Sequence, residues 1–143
     1  MKGKVIACLS CTGKTHFVLN NFENMDCVDH DMYDWMYRGK LGDAWIDYFK
    51  VRMQELRDKF EFVFVNAIPE IIKIIPENSI IIFPKRELKE EFLNRAKSRG
   101  GETAFPKYLD EHWDEWMDAC ENSPAKKIRL DSGEYVSDVK KLI

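Results

Sequence analysis

The fold of this 143-residue chain is decided by residues 4–15, which read KVIACLSCTGKT. Lys4 to Leu9 is a mostly apolar run that predicts a short buried strand. Ser10 to Gly13 contains turn-forming residues, and a helix-like stretch follows from Lys14 to Phe22. The predicted order is strand, loop, helix, which brings the loop to the N-terminus of a helix, where anions bind.

The loop resembles the pattern GxxxxGK[ST], with one departure. In that pattern backbone N–H groups wrap phosphates, the lysine reaches the terminal phosphates and the hydroxyl binds Mg²⁺. The eight residues here are Cys8, Leu9, Ser10, Cys11, Thr12, Gly13, Lys14 and Thr15, so that Cys8 replaces the first glycine. We predict a phosphate loop that binds ATP, with Mg²⁺ on Thr15. A tight strand-to-helix turn with a solvated Lys14 is the alternative.

The rest of the chain alternates predicted strands and helices. Strands are predicted over Met25–Val28, Phe60–Val65, Ser79–Phe83 and Lys127–Leu130, and helices over Asp43–Arg57, Pro69–Ile75, Arg86–Arg99 and Pro106–Glu121. Continuously apolar strands separated by helices are typical of a parallel sheet covered on both faces. We therefore expect one α/β domain over residues 1–143. The stripe that holds Trp113 and Trp116 is expected to pack in the core rather than to stack on a base.

Composition narrows the classes of function. With 45% hydrophobic and 13% aromatic residues, the chain is expected to fold on its own. Net charge is −3 with both signs mixed, so binding to a nucleic-acid backbone is not expected. No apolar run approaches the roughly 20 residues of a membrane span, and the start of the chain does not resemble a signal peptide. A cytoplasmic protein is expected, and whether it is a homo-oligomer stays open.

Cys8 and Cys11 form a CxxC spacing, which can indicate a redox pair or half of a zinc site. The sequence has no second CxxC pair, and its histidines are scattered, which argues against zinc. Gly13 and Lys14, which follow this spacing closely, fit a phosphate loop better than a redox pair. We expect reduced thiols.

An acidic cluster follows the second predicted strand. Because ligands of parallel α/β sheets collect at the carboxyl ends of the strands, Asp29 and Asp31 are expected near the phosphate loop. A carboxylate there can orient an acceptor or bind Mg²⁺, and we assign Asp29 to the metal together with Thr15. His30 is expected to be a neighbour of the site, and a solvated turn is the alternative for the cluster.

Arg95 and Arg99 are spaced i, i+4 and extend an apolar stripe, so we expect them to point toward the site. Arginine forks neutralise phosphate charge during transfer. The region of about residues 85–104 is therefore predicted to be a lid. Three further cations are expected to assist: Lys85, Arg86 and Lys89. The alternative for the arginines is ion pairing with one of three acids: Glu90, Glu91 or Glu102.

Together these motifs resemble the small P-loop nucleotide-kinase-like proteins of bacteriophages. The resemblance extends over nearly the whole chain: Gly13, Lys14 and Thr15; Asp29, His30 and Asp31 followed by Trp35; Phe62 to Asn66; Phe83 and Pro84 leading into Leu88 to Glu91; Arg95, Arg99 and Gly100; Trp113 and Trp116; and Ile128 to Asp138. It implies a three-layer P-loop kinase-like fold with a five-stranded parallel sheet, strand order 2-3-1-4-5 and a helical lid.

The resemblance also implies an activity. The loop lysine and threonine of such kinases bind the triphosphate and Mg²⁺, an aspartate positions the acceptor, and lid arginines stabilise the transferred phosphoryl group. In this chain those residues are Lys14, Thr15, Asp29 or Asp31, Arg95 and Arg99. The expected function is ATP- and Mg²⁺-dependent phosphoryl transfer to a deoxynucleoside monophosphate or a related nucleotide or nucleoside. A nucleotide-binding protein without turnover and a kinase of a modified base in DNA are the alternatives.

Overall fold

The computed structural model describes residues 2–30, 39–99 and 104–143. The strands and α-helices in chain order are β1 (Lys4–Cys8), α1 (Lys14–Asn21), β2 (Cys27–Asp29), α2 (Trp45–Lys59), β3 (Phe62–Asn66), α3 (Pro69–Ile72), β4 (Ile80–Pro84), α4 (Lys89–Ser98), α5 (Ala104–Asn122) and β5 (Lys126–Leu130). Short 3₁₀ helices cover Gly42–Ala44, Arg86–Leu88 and Val136–Leu142. Four residues singled out in the sequence lie outside the described ranges: Asp31, Trp35, Gly100 and Glu102.

The strands of the described residues form one parallel sheet in the order β2-β3-β1-β4-β5. The central strand β1 pairs with β3 on one side and with β4 on the other. Its residues from Val5 to Cys8 are fully buried, as is most of β4. The predicted α/β class, the five parallel strands and their order are confirmed. A sheet buried on both faces needs such continuously apolar strands.

The helices cover the two faces of the sheet. The connection from β1 to β2 runs along the sheet in the opposite direction to the three connections that follow. Because parallel crossovers are right-handed, α1 lies on the opposite face from α2 to α5. Contacts agree with this arrangement, since α3 and α4 pack on α5, whereas α1 packs on the last 3₁₀ helix. Trp113 and Trp116 of α5 are only 1% and 3% exposed, so their predicted core packing is confirmed.

Several element boundaries differ from the sequence prediction for local reasons. The helix predicted over Pro69–Ile75 ends at Ile72, and the chain then tightens as Ile74 N–H bonds to the Ile71 carbonyl. Pro76 explains this early end, because the residue before a proline avoids helical backbone angles. Helix α5 begins two residues before Pro106, which stands in the first turn, where no intrahelical N–H bond is required.

No helix within the described residues has both the length and the apolar composition needed to cross a membrane.

Candidate functional site

The site lies where the chain direction switches at the centre of the sheet. Cys8 at the end of β1 stands opposite Asn66 at the end of β3, and the helices that follow these strands leave toward opposite faces. In open α/β sheets the crevice at such a point is the usual ligand site. A cavity of about 1010 Å³ opens there. Its walls come from the loop after β1, from α4 and from residues 131–135, which we name the C-terminal turn.

The loop between β1 and α1 has an alternating backbone. Cys11 has φ 68° and Gly13 has φ 85°, both left-handed, whereas the intervening Thr12 does not have a positive φ. Alternation of right- and left-handed residues turns successive N–H groups toward one concavity, which is an anion-binding nest. The sign of φ thus alternates over Cys11 to Gly13, as it does in such nests, although Cys8 replaces the first glycine of the motif.

The carbonyl oxygens of the loop are bonded to other groups of the protein. Those of Cys8, Leu9, Cys11, Thr12 and Gly13 accept hydrogen bonds from Ala67 N (3.0 Å), Thr12 Oγ1 (2.7 Å), Arg95 Nη1 (3.1 Å), Val136 N (2.9 Å) and Phe17 N (2.9 Å), respectively. Each bond fixes the orientation of one peptide unit. The loop is thus held in shape through its carbonyl groups.

Helix α1 begins directly after this loop with its N-terminus uncapped by side chains. Gly13 is the N-cap residue, no side chain caps it, and no acidic residue stands in the first turn. The first N–H groups of a helix have no intrahelical partner, and the helix dipole places partial positive charge there. The end of α1 therefore adds to the anion-binding character of the loop.

Three predicted site residues come together beside the loop. Lys14 is only 7% exposed, and its ammonium group forms an ion pair with Oδ1 of Asp29. The hydroxyl of Thr15 donates a hydrogen bond to the other carboxylate oxygen, Oδ2, over 2.8 Å. Asp29 and Thr15 are 14 residues apart in the sequence, and they come together because β2 and α1 pack against each other. The ammonium of Lys14, the hydroxyl of Thr15 and the carboxylate of Asp29 are thus adjacent.

Thr15 and Asp29 bring together two oxygens of the kind that Mg²⁺ prefers. Mg²⁺ prefers oxygen ligands at about 2.1 Å in octahedral geometry, so that neighbouring ligand oxygens lie about 2.9 Å apart. Thr15 Oγ1 and Asp29 Oδ2 lie 2.8 Å apart in a hydrogen bond, a separation that two neighbouring ligands of one ion could also have. Within the described part of the chain, no group of three or more histidine, cysteine or acidic side chains is arranged to hold a metal. Two protein ligands suit Mg²⁺, which usually retains water and binds substrate phosphates.

His30 is buried and packs against Phe49. Its side chain is buried, its Nε2 atom lies 3.3 Å from the carbonyl oxygen of Phe49, and its ring stacks on the Phe49 ring at 4.2 Å. These contacts join the end of β2 to α2. His30 is therefore a neighbour of Asp29, as the sequence predicted.

Arg95 lines the cavity, and its guanidinium group bonds to the protein itself. Nη1 donates to the carbonyl of Cys11 over 3.1 Å, and Nη2 donates to the carbonyl of Glu134 over 2.9 Å. Nη2 also pairs with Glu91 at 3.0 Å, which is one of the ion pairs that the sequence left open. The side chain is 11% exposed. Arg95 thus reaches the site, where it contacts the loop.

Arg99 also lines the cavity and is exposed. Its Nη1 atom lies 3.5 Å from the sulfur of Cys11, and its guanidinium group lies 5.8 Å from the centre of the Phe105 ring. These are weak contacts compared with those of Arg95, because a thiol is a poor acceptor. Of the two predicted arginines, Arg99 is the better placed to rearrange around a bound phosphate.

The three cations expected to assist the site bind acids elsewhere. Lys85 pairs with Asp131, Lys89 pairs with Asp110 at 2.7 Å, and Arg86 contacts three acids of α5 at 2.6–3.4 Å. These ion pairs connect the start of α4 to α5 and to the C-terminal turn. Their role is structural in this conformation.

The cysteines are all free thiols. Burial raises the pKa of the Cys8 thiol to about 12, although the nearby Lys14 ammonium acts in the opposite direction. Cys8 therefore stays protonated at neutral pH, which makes it a poor nucleophile. Cys11 is half-buried and lines the cavity.

Three further groups stand at the site that were not assigned to it from the sequence. Tyr135 of the C-terminal turn lies beside Gly13, where an added Cβ atom would come within 3.2 Å of its ring. Glu91 accepts hydrogen bonds from the Gly133 N–H and the Ser132 hydroxyl, and these bonds hold its pKa below the usual value. Asn66 is a buried polar residue of the cavity wall. Of these groups, only Glu91 could have been found from a local pattern, because it is four residues before Arg95 on the same helix.

No protein-family model matches the chain, and no curated protein sequence matches it.

Proposed function

We propose that the chain binds ATP with Mg²⁺ at residues 8–15 and transfers the terminal phosphoryl group to a small acceptor, a nucleoside monophosphate or nucleoside. The observation that carries this proposal is the meeting of Lys14, Thr15 and Asp29 beside a loop with left-handed residues at positions 11 and 13. A structural turn would not need a lysine, a hydroxyl and a carboxylate together at the end of the sheet.

The residues present support each requirement of phosphoryl transfer. The loop N–H groups and the Lys14 ammonium can neutralise the β- and γ-phosphates, which is the electrostatic part of such catalysis. Thr15 and Asp29 would hold Mg²⁺, which would supply further neutralisation of phosphate charge. Arg99, which is exposed and weakly bonded, is available to contact the moving phosphoryl group.

The proposed reaction makes one bond and breaks one. An acceptor oxygen bonds to the terminal phosphorus, while the bond from that phosphorus to the bridging oxygen of the departing ADP breaks. A phosphate acceptor has no proton to lose at that oxygen. With a hydroxyl acceptor, the proton is released to solvent.

The size of the cavity supports a second small ligand. Small-molecule sites usually measure about 300–1,000 Å³, and this cavity of about 1010 Å³ lies at the upper end of that range. The deoxynucleoside monophosphate is our preferred acceptor because of the resemblance to phage nucleotide kinases. A phage-encoded enzyme of this kind would act on nucleotides in the host cytoplasm.

A second candidate function is nucleotide binding without turnover. The observation that favours it is Asn66, a neutral residue at the end of β3, where a carboxylate would add a metal ligand. A kinase of a modified base in DNA is less well supported. With a net charge of −3, the chain has no charge excess that would attract a nucleic-acid backbone.

The test is ADP release from ATP and Mg²⁺ with each nucleoside and nucleoside monophosphate in turn, for wild type and Lys14→Ala. Release that requires one acceptor and is lost in the variant supports the kinase and names its substrate. Lys14-dependent ATP binding without release for any acceptor supports the binding protein. Release that is equal in the two proteins contradicts both functions.

A further inference from the structure

We propose that Arg95 is a positioning residue: it holds the phosphate loop in its anion-binding shape by joining the Cys11 carbonyl to the C-terminal turn, and it does not contact the transferred phosphoryl group. The inference rests on the proposed function, since it concerns the same loop. It differs from the role that the resemblance implied for Arg95, which was direct stabilisation of the phosphoryl group.

The contacts of Arg95 bring three segments together. One arm of the guanidinium bonds to Cys11 in the loop, and the other bonds to Glu134 in the C-terminal turn and to Glu91 on its own helix. The flat face of the group lies 4.0 Å from the centre of the Tyr135 ring. A planar fork that makes such contacts on several sides has a fixed position.

The bond to Cys11 falls where the loop needs support. Cys11 is the only described non-glycine residue with a positive φ, and such a residue is strained unless its surroundings hold it. The strained conformation is also the one that turns the neighbouring N–H groups toward an anion. The carbonyl that Arg95 fixes therefore belongs to the residue on which the nest depends.

The C-terminal turn has anchors besides Arg95. Glu91 accepts hydrogen bonds from Ser132 and from the Gly133 N–H, and directly after the turn the Val136 N–H donates to the Thr12 carbonyl over 2.9 Å. These bonds give Arg95 a rigid support at Glu134. Loss of Arg95 is therefore expected to release the loop at Cys11 more than to unfold the chain.

A double-mutant cycle tests this role. The dissociation constant of ATP with Mg²⁺ is measured for wild type, Arg95→Ala, Cys11→Gly and the double variant, with Arg99→Ala for comparison. Glycine adopts the left-handed conformation without steric strain, so the strain that Arg95 offsets at position 11 is removed. We expect Arg95→Ala to weaken binding about tenfold in the wild-type background and by less than about threefold in the Cys11→Gly background.

Direct contact with phosphate would give a different pattern. In that case Arg95→Ala would weaken binding equally in both backgrounds, and more for ATP than for ADP. That result would overturn the inference and leave the proposed function intact. If wild type itself shows no Lys14-dependent binding of ATP, the proposed function fails, and this inference fails with it.

A measurement without ligand keeps the structural half of the inference testable. The rate at which a maleimide labels Cys11 reports the conformation of the loop, because this thiol lines the cavity. We expect Arg95→Ala to raise the rate several-fold, and an unchanged rate would overturn the inference. If Arg95→Ala does not fold, Arg95→Lys replaces it, since lysine keeps the charge but cannot bridge both carbonyls.

Discussion

The hydroxyl of Thr15 donates to Oδ2 of Asp29 over 2.8 Å, at the meeting point of α1 and β2. The other oxygen of the same carboxylate pairs with Lys14. One carboxylate thus contacts both residues that the loop motif assigns to the phosphates and the metal. If the loop binds a triphosphate with its metal as we propose, these contacts must rearrange, and Asp29 would then couple the metal to the nucleotide.

Asp29→Asn is expected to reduce the effect of Mg²⁺ on ATP binding. The amide removes a negative charge beside the phosphates and is a poorer ligand for Mg²⁺. Binding of metal-free ATP should therefore strengthen while binding with Mg²⁺ weakens, so that the ratio of the two dissociation constants changes about tenfold. Titrations with Mg²⁺ and with a chelator measure the ratio. Asp58→Asn, on the exposed surface of α2, is the control. A ratio for Asp29→Asn that stays at the wild-type value would contradict the assignment of Asp29 to the metal.

Gly13→Ala is expected to destabilise the fold by about 1–2 kcal/mol or more, because φ is 85° and alanine is strained there. The new Cβ would also approach the Tyr135 ring within 3.2 Å. Gly42→Ala is the matched control, since φ is 54° and an added Cβ meets nothing within 4 Å. Urea unfolding gives the free energy of unfolding for both. A larger loss of unfolding free energy in Gly42→Ala than in Gly13→Ala would contradict the close packing of the C-terminal turn on the loop.

Cys8 is expected to make the fold less stable at alkaline pH. Burial raises its thiol pKa from 9.0 to about 12. Between these values the unfolded chain releases the proton and the folded chain keeps it, so stability falls as pH rises. When the pH is raised from about 8 to about 10.5, the free energy of unfolding of Cys8→Ala should fall by about 1–2 kcal/mol less than that of wild type.

Urea unfolding at both pH values measures this difference. Val5→Ala is the control because it removes buried atoms from the same strand without removing a titrating group. The same pH dependence in Cys8→Ala and in wild type would show that the thiol is not buried as described.

The sequence was sufficient to predict the sheet. The strands β1, β3 and β4 lie in short apolar runs bounded by turn residues, as in Ser79 to Phe83, so their existence depends on local pattern. The strand order came from the resemblance and agrees with the structure. The boundaries were less accurate, because hydrogen bonding within the sheet decides where a strand ends. For this reason β2 begins at Cys27 rather than at Met25.

The surroundings of the loop could not be predicted in the same way. Tyr135 lies beside Gly13, and Val136 bonds to Thr12, although more than a hundred residues separate these pairs in sequence. No periodicity or motif signals a contact of that range. The i, i+4 pattern placed Arg95 near the site, but only the three-dimensional structure shows that its donors reach carbonyl oxygens.

The most direct test of the central claim is the dissociation constant of ATP with Mg²⁺ for wild type and Lys14→Ala, measured by calorimetry. Lys73→Ala, which removes an exposed lysine after α3, is the control. A phosphate loop predicts that Lys14→Ala weakens binding about a hundredfold, equivalent to about 3 kcal/mol, and that Lys73→Ala binds as wild type does. Equal affinity of wild type and Lys14→Ala would contradict the assignment of residues 8–15 as a phosphate loop.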